Sequence, residues 1–318
     1  MPTIVITDHG FSSLALERRV VESAGFTLQE VQPVCKTEDD VIRSCARADV
    51  LMVQWAPITR RVFESLPQLR GVVRYGIGVD NIDVTSAREL GRMVANVPHY
   101  CLDEVSDHAL AMILSLARRI PQDTHQLEHG GWGIGSFLPI PAFSDLTLGL
   151  IGFGSIARKV SQKAKPFRFR QIAFDPVAPN AAFAELAVER ADLDVVLRTA
   201  DIISLHCPLT SETRHMINAD SIDRMRPGVL LINTARGPLV NEADLVAALK
   251  AGQITGAGLD VYEQEPLAPD SPLRSLPNVI LTSHAASVSA RSLDLLQIQA
   301  AEAARDILQG KRPAGTLV

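Results

Sequence analysis

The chain has 318 residues, 47% hydrophobic and 21% charged, with 31 basic against 36 acidic side chains and a net charge of -5. Globular domains run to about 100–200 residues, so two domains with real cores are expected, and fibrous, collagen-like or wholly disordered organisation is excluded. Without a basic excess, a grip on the phosphates of a nucleic acid is not expected.

Residues 1–8 lack the basic-then-apolar order of a signal peptide, and 3–7 read as a first strand. Further short apolar runs follow at 50–53, 72–74, 148–152, 171–174, 202–206, 229–233, 256–260 and 279–282, separated by segments with helical spacing. Strands alternating with helices predict parallel sheets built of βαβ units. A domain boundary is expected near Asn96-Val97-Pro98, where the proline disfavours helix for its predecessor. After Asp103, the residues Val105, Ala109, Met112, Ile113 and Leu116 recur at helical spacing, and Arg118, Arg119 and Pro121 mark the end of that helix. Its most apolar part, 109–117, is far short of the roughly 20 residues of a membrane span, so no membrane contact and a cytosolic location are expected. The Gly- and Pro-containing stretch 130–144 reads as a loop.

The chemistry concentrates in the second half. Gly152-Phe153-Gly154-Ser155-Ile156-Ala157 follows a strand and opens a helix, a G-x-G-x-x-A turn. Gly152 allows the tight turn, Gly154 lets backbone approach a pyrophosphate, and Ala157 permits close packing of helix on strand. A second strand ends in Phe174-Asp175, at the spacing where an acid would accept hydrogen bonds from ribose hydroxyls and repel a 2'-phosphate. NAD is therefore expected over NADP. Three later strands end in His206, Arg236 and Asp260, and parallel sheets bind ligands at such ends, so these side chains are expected near the nicotinamide. Glu265 and His284 follow.

Other clusters are expected to be inert. Cys35, Cys45, Cys101 and Cys207 are far apart with no zinc spacing, and read as reduced thiols. His125 and His129 lie one helical turn apart without a metal-binding pattern, so no metal is expected. Lys163, Lys165, Arg168 and Arg170 read as solvated charges.

Together these strings resemble the D-isomer-specific 2-hydroxyacid dehydrogenase family, from Val72-Val73-Arg74-Tyr75-Gly76-Ile77-Gly78-Val79-Asp80-Asn81-Ile82-Asp83 through the segment at His284. The resemblance implies an α/β fold of two doubly wound domains. A central Rossmann NAD domain, 100–284, is inserted in a flavodoxin-like substrate or lid domain made of 1–99 and 285–318. It also implies an NAD-dependent oxidoreductase moving hydride between nicotinamide and a D-2-hydroxy acid/2-oxo acid pair, acting as a homodimer. By position, Arg236 matches the family's substrate-anchoring arginine, His284 its acid/base and Glu265 the acid that supports that histidine. Tyr75, Gly76, Ile77 and Gly78 match its substrate-carboxylate loop. The implied cofactor contacts are Gly152, Gly154, Ser155, Ile156 and Asp175 in the first βα unit. Further along they are His206, Cys207, Pro208, Thr213, Thr234, Ala235, Asp260 and Ala286.

Departures narrow the reading. Arg168 stands where many relatives close a helix with glycine, and Ser283 and Ala286 replace a common proline and glycine. His284-Ala285-Ala286 is similar to the C-terminal binding proteins, NAD-linked corepressors, but Ser287 replaces their tryptophan. A corepressor-like binding protein and a formate- or phosphite-type dehydrogenase are the alternatives; formate enzymes of this type carry glutamine where this chain has Glu265.

Overall fold

The computed structural model describes residues 1–135 and 138–318, so the loop expected over 130–144 lies partly outside the described residues. The chain divides into two compact units, Met1–Tyr100 with Ser289–Val318, and Cys101–Val288.

The first unit alternates β1 (Thr3–Ile6), α1 (Ala15–Ser23), β2 (Thr27–Glu30), α2 (Glu38–Ser44), β3 (Val50–Val53), α3 (Arg60–Ser65), β4 (Gly71–Arg74), α4 (Val84–Glu89) and β5 (Met93–Ala95). All strand pairs are parallel in the order β2-β1-β3-β4-β5, the flavodoxin-like arrangement. β3, Val-Leu-Met-Val, is buried at every residue, as a parallel strand covered on both faces must be. β2 lies at the sheet edge and reads Thr-Leu-Gln-Glu, too polar to announce itself as an apolar run.

The second unit opens with α5 (Leu102–Ala117) and α6 (Ile120–Glu128). Between them Arg119 adopts a left-handed conformation, φ 58°, and Pro121 sits in the first turn of α6, so the expected helix end is a sharp bend between two helices. Then follow β6 (Thr147–Ile151), α7 (Ser155–Ala164), β7 (Arg170–Phe174), α8 (Asn180–Leu186), β8 (Glu189–Arg190), α9 (Leu193–Thr199), β9 (Ile202–Leu205), α10 (Ala219–Asp223), β10 (Val229–Asn233), α11 (Glu242–Ala251), β11 (Ile254–Leu259) and β12 (Val279–Leu281). The parallel sheet runs β12-β11-β10-β9-β6-β7-β8, a doubly wound Rossmann order that reverses at β6. The last helix, α12 (Ala290–Leu308), belongs to the first unit, where it packs on α1, β3 and β4. It starts from a capping box between Ser289 and Ser292.

Arg168 takes the left-handed conformation, φ 66°, that a glycine would adopt freely, at a cost of about 1–2 kcal/mol. Lys163 and Arg170 of the basic cluster pair with Asp107 and Glu189. All four cysteines are free thiols. Among the described residues no helix is long and apolar enough to cross a membrane, and no group of three His, Cys, Asp or Glu is placed to hold a metal ion.

The centre of β6 tests how tightly the second unit is packed. A Cβ added at Gly149 would lie 2.7 Å from both the Ala200 Cβ and the Val196 Cγ1. Gly149→Ala is therefore expected to destabilise this unit by about 1–3 kcal/mol, the usual cost of overpacking. Urea unfolding checks it, and an unchanged midpoint would show that α9 moves aside freely.

Candidate active site

Parallel register places the functional side chains. In the second unit Phe174 pairs with Ile151, Ile151 with Leu205, Leu205 with Asn233, Asn233 with Leu259, and Leu259 with Leu281. The next residue of each strand therefore lies in one row along the carboxyl edge: Asp175, Gly152, His206, Thr234, Asp260 and Thr282.

At the switch point, Gly152 has φ +90°, and a Cβ there would come 2.6 Å from the Cys207 nitrogen, so only glycine fits. A Cβ on Gly154 would meet nothing within 4 Å, which leaves open space before α7. Ser155 and Ile156 form the first turn of that helix, whose amino end has no side-chain cap. Ala157 is fully buried. Asp175 Oδ2 accepts the Phe153 N–H at 2.7 Å, and Oδ1 accepts those of Val177 and Ala178, both at 2.8 Å. Partial burial opposes its charge, but these donors and the charge of Arg190 outweigh that and hold the carboxyl below its usual range. Asp175 also lines a hollow of about 620 Å³ with Phe174, Pro176, Arg190 and Val195. Among the described residues the Thr234 hydroxyl is buried without a partner. An uncapped helix end, an open glycine, an acid at the strand end and an orphaned hydroxyl on one edge fit a dinucleotide.

The remaining expected cofactor contacts serve this edge unequally. Burial pushes the His206 imidazole down to about 4, and Nε2 turns back to the Ser204 hydroxyl at 2.9 Å, so it is neutral at physiological pH. Burial likewise lifts the Cys207 thiol to about 11, and its sulfur faces Met216 Sδ at 3.6 Å. Thr213 closes the loop after β9 by donating to the Pro208 carbonyl at 2.7 Å. Ala235 donates its N–H to Asn233 Oδ1 at 3.1 Å.

The structure pairs His284 with Glu265, Nδ1 to Oε2 at 2.7 Å, at half-exposed side chains. His284 Nε2 makes no hydrogen bond among the described residues. Half-burial pushes Glu265 up, but the hydrogen bond and charge of His284, the Tyr262 N–H and the Arg236 charge prevail and leave it below the usual range. Arg236 follows β10, and its Nη1 donates to the Ala235 carbonyl at 2.6 Å.

Asp260 is engaged by the chain itself. Buried at 1% exposure, it accepts the Thr282 hydroxyl at 2.6 Å and the Ala285 N–H at 2.8 Å on Oδ1, and the Ala286 N–H at 2.9 Å on Oδ2. Its carbonyl accepts the His284 N–H at 2.8 Å. The carboxylate thus holds the histidine loop, and Ala286 contributes to that latch through its backbone. His108 of α5 extends the chain, Nε2 to the Thr282 hydroxyl at 3.0 Å. Sequence reasoning missed Thr282 and His108; a lone histidine on an otherwise apolar helix was the available signal.

In the first unit, Tyr75 is 1% exposed, so its side chain points into the core and only its backbone reaches the edge. Gly76 has φ +137° with the Arg74 guanidinium against its Cα, so a side chain there would clash. Its N–H donates to the Arg74 carbonyl at 3.0 Å. Among the described residues the N–H groups of Ile77 and Gly78 have no partner, two adjacent donors suited to a carboxylate.

Comparison with known proteins identifies the family. Residues 110–286 match the family described as D-isomer specific 2-hydroxyacid dehydrogenase, NAD binding domain. The chain is 39% identical over 263 residues to a glyoxylate reductase of Korarchaeum cryptofilum, covering 82% of this chain and 79% of that protein. It is 37% identical over 277 residues to a D-3-phosphoglycerate dehydrogenase of Methanocaldococcus jannaschii, where 86% of this chain spans 52%, about half, of the relative. A D-lactate dehydrogenase from Aquifex aeolicus, solved with NAD and lactic acid, superposes with a TM-score of 0.84 at 27% identity, covering 97% of this chain and 96% of that one. The chain belongs to the D-isomer-specific 2-hydroxyacid dehydrogenases. It is an NAD-dependent oxidoreductase of that class, and NAD is its cofactor.

Asp175 carries a prediction. Asp175→Ala removes a charge-assisted acceptor and also unties the Phe153 N–H of the glycine turn and the Val177 and Ala178 N–H groups of the loop after β7. The Kd for NADH, read by its fluorescence, is expected to rise about tenfold or more, and the margin over NADPH to narrow. Equal affinities of the unmodified protein for both cofactors would contradict this account.

Proposed function

We propose that the protein reduces a small 2-oxo acid to the D-2-hydroxy acid, reversibly, with His284 as acid/base, Glu265 as its support and Arg236 as the substrate anchor. The observation that carries this is the His284–Glu265 pair at 2.7 Å, which spends Nδ1 and leaves Nε2 available. NAD(H), when bound, supplies or accepts the hydride. In reduction, His284 Nε2 donates a proton to the carbonyl oxygen as negative charge builds there; in oxidation the neutral ring takes it back from the hydroxyl. Glu265 fixes the tautomer and favours the charged ring. Arg236 offers a planar fork to the carboxylate and adjacent oxygen, worth most as the oxygen becomes anionic. In the first unit, the N–H groups of Ile77 and Gly78 are the carboxylate donors.

Small 2-oxo acids such as glyoxylate and hydroxypyruvate are the substrate class this reading favours, supported by the name of the glyoxylate reductase relative. A cytosolic two-fold homodimer belongs to the same reading. Exposed apolar side chains at Ile120, Leu127, Trp132 and Ile134, following α5, support the dimer.

A panel of 2-oxo acids with NADH tests the function, and absence of turnover on all of them would reject it. Arg236→Ala is expected to cut kcat/KM by about a hundredfold or more, with Arg236→Lys a partial rescue because charge survives and the fork does not. Equal rates in both variants and the unmodified protein would remove the anchor.

The pair also fixes the sign of a pH effect. Against burial, the hydrogen bond and charge of His284, the Tyr262 N–H and the Arg236 charge hold Glu265 below its usual range, so its support to the ring is present at neutral pH and is lost as the pH falls through that lowered value. Glu265→Gln removes the support at every pH, so kcat/KM is expected to fall about tenfold or more and to lose this acid limb. Profiles of kcat/KM in both directions decide it; an unchanged rate, or an acid limb that survives in Glu265→Gln, would show that Glu265 does not support the ring.

A further inference from the structure

Glu17 is a buried acid for which the reaction just described has no use. It lies in the first turn of α1 at 0% exposure. Its Oε1 accepts the Tyr75 hydroxyl at 3.1 Å, and the Gln297 side-chain amide of α12 donates to Oε1 and Oε2 at 3.0 and 2.9 Å. Among the described residues it forms no ion pair, and every partner is neutral. A carboxylate buried against neutral donors is less favourable than an apolar side chain of the same shape, so what it holds in place matters more than the stability it adds.

What it holds is Tyr75. Burial and the neighbouring Glu17 keep that phenol well above its usual value, so it remains a hydrogen-bond donor. The Phe11 ring packs edge-on against it at 5.0 Å. The Tyr75 N–H is fixed to the Val53 carbonyl at 2.8 Å, so hydroxyl and backbone pin the residue at both ends. The next residues are the loop. The Gly76 carbonyl accepts the Val97 N–H at 3.0 Å and the Ile77 carbonyl accepts Asn96 Nδ2 at 2.6 Å, leaving the two partnerless N–H groups of Ile77 and Gly78.

We propose that Glu17 is a positioning residue for substrate: through the Tyr75 hydroxyl it sets the direction of the Ile77 and Gly78 N–H donors, and so the affinity for the 2-oxo acid's carboxylate, without touching it. This rests on the reading of that loop as the carboxylate cradle.

Two variants break the link from either end. Glu17→Gln keeps the shape but turns an amide donor toward the Gln297 amide, and Tyr75→Phe removes the hydroxyl alone. With glyoxylate and NADH, KM is expected to rise about tenfold in each while kcat changes less than about threefold, as for loss of uniform binding. The Kd for NADH stays unchanged. The double variant should be no worse than the weaker single one, because both act through one bond. Thermal unfolding shows which variants are folded; should Glu17→Gln not fold, Tyr75→Phe alone decides by the same KM. An unchanged KM in a folded variant, additive losses in the double variant, or parallel loss of NADH affinity would each overturn the proposal. If the unmodified protein turns over 2-oxo acids but the variants match it, this inference alone fails; if it turns over none, the functional reading fails first and carries this one with it.

Discussion

The arrangement of His284 depends on one buried carboxylate. Asp260, at the end of β11, accepts the Thr282 hydroxyl and the N–H groups of Ala285 and Ala286, while its carbonyl takes the N–H of His284. His284 itself sits at φ +54°, a left-handed conformation that costs a non-glycine residue about 1–2 kcal/mol. Hydrogen bonds to a charged group contribute about 1.5–3 kcal/mol each, so three of them outweigh the strain. The ring is thus oriented by the fold, and Glu265 has only to meet Nδ1.

The same device recurs after two other strands, β7 and β1. Asp175 gathers the N–H groups of Phe153, Val177 and Ala178. In the first unit Asp8, 3% exposed, takes the Trp55 N–H at 2.6 Å and those of Gln54 and Ala56 at 3.3 Å. A chain leaving a parallel sheet strands several N–H groups without ladder partners, and a buried carboxylate can satisfy several at once. Acids at these ends therefore do structural service first, whereas His284 keeps an atom, Nε2, to spare.

The sequence was most legible where chemistry is written locally. The glycine turn, Asp175 after its strand, and the apolar runs of the central strands needed only short windows. β2 and β8 escaped because edge strands are polar: Glu189-Arg190 carries no apolar signal at all. Arg119 escaped because nothing local demands a left-handed residue before Pro121. That Asp260 holds a loop was not legible, because its partners Ala285 and Ala286 lie 25 and 26 residues on and meet it through the pairing of β11 with β12. Tyr75 was expected beside substrate for its place before the loop, whereas its side chain points the other way, to Glu17 on another element. Register and long-range contact decided each of these, and neither shows in spacing.

The occupancy of Asp175 bears on how it can choose a cofactor. Each carboxylate oxygen has about two acceptor positions. Oδ1 already holds two N–H groups and Oδ2 one, so a single good acceptor position remains for a ribose diol. A count of hydrogen bonds to the two hydroxyls is therefore too small to set the preference by itself. What remains is charge: the carboxylate stays ionised well into acid, and a 2'-phosphate brought beside it meets like charge in a partly buried site where screening is weak. Arg190 lines the same hollow and donates to the Asp175 carbonyl at 3.2 Å, so it offsets part of that repulsion. On the proposed reading of this edge, discrimination between the two nicotinamide cofactors would therefore be the balance of one acid, Asp175, against one neighbouring base, Arg190.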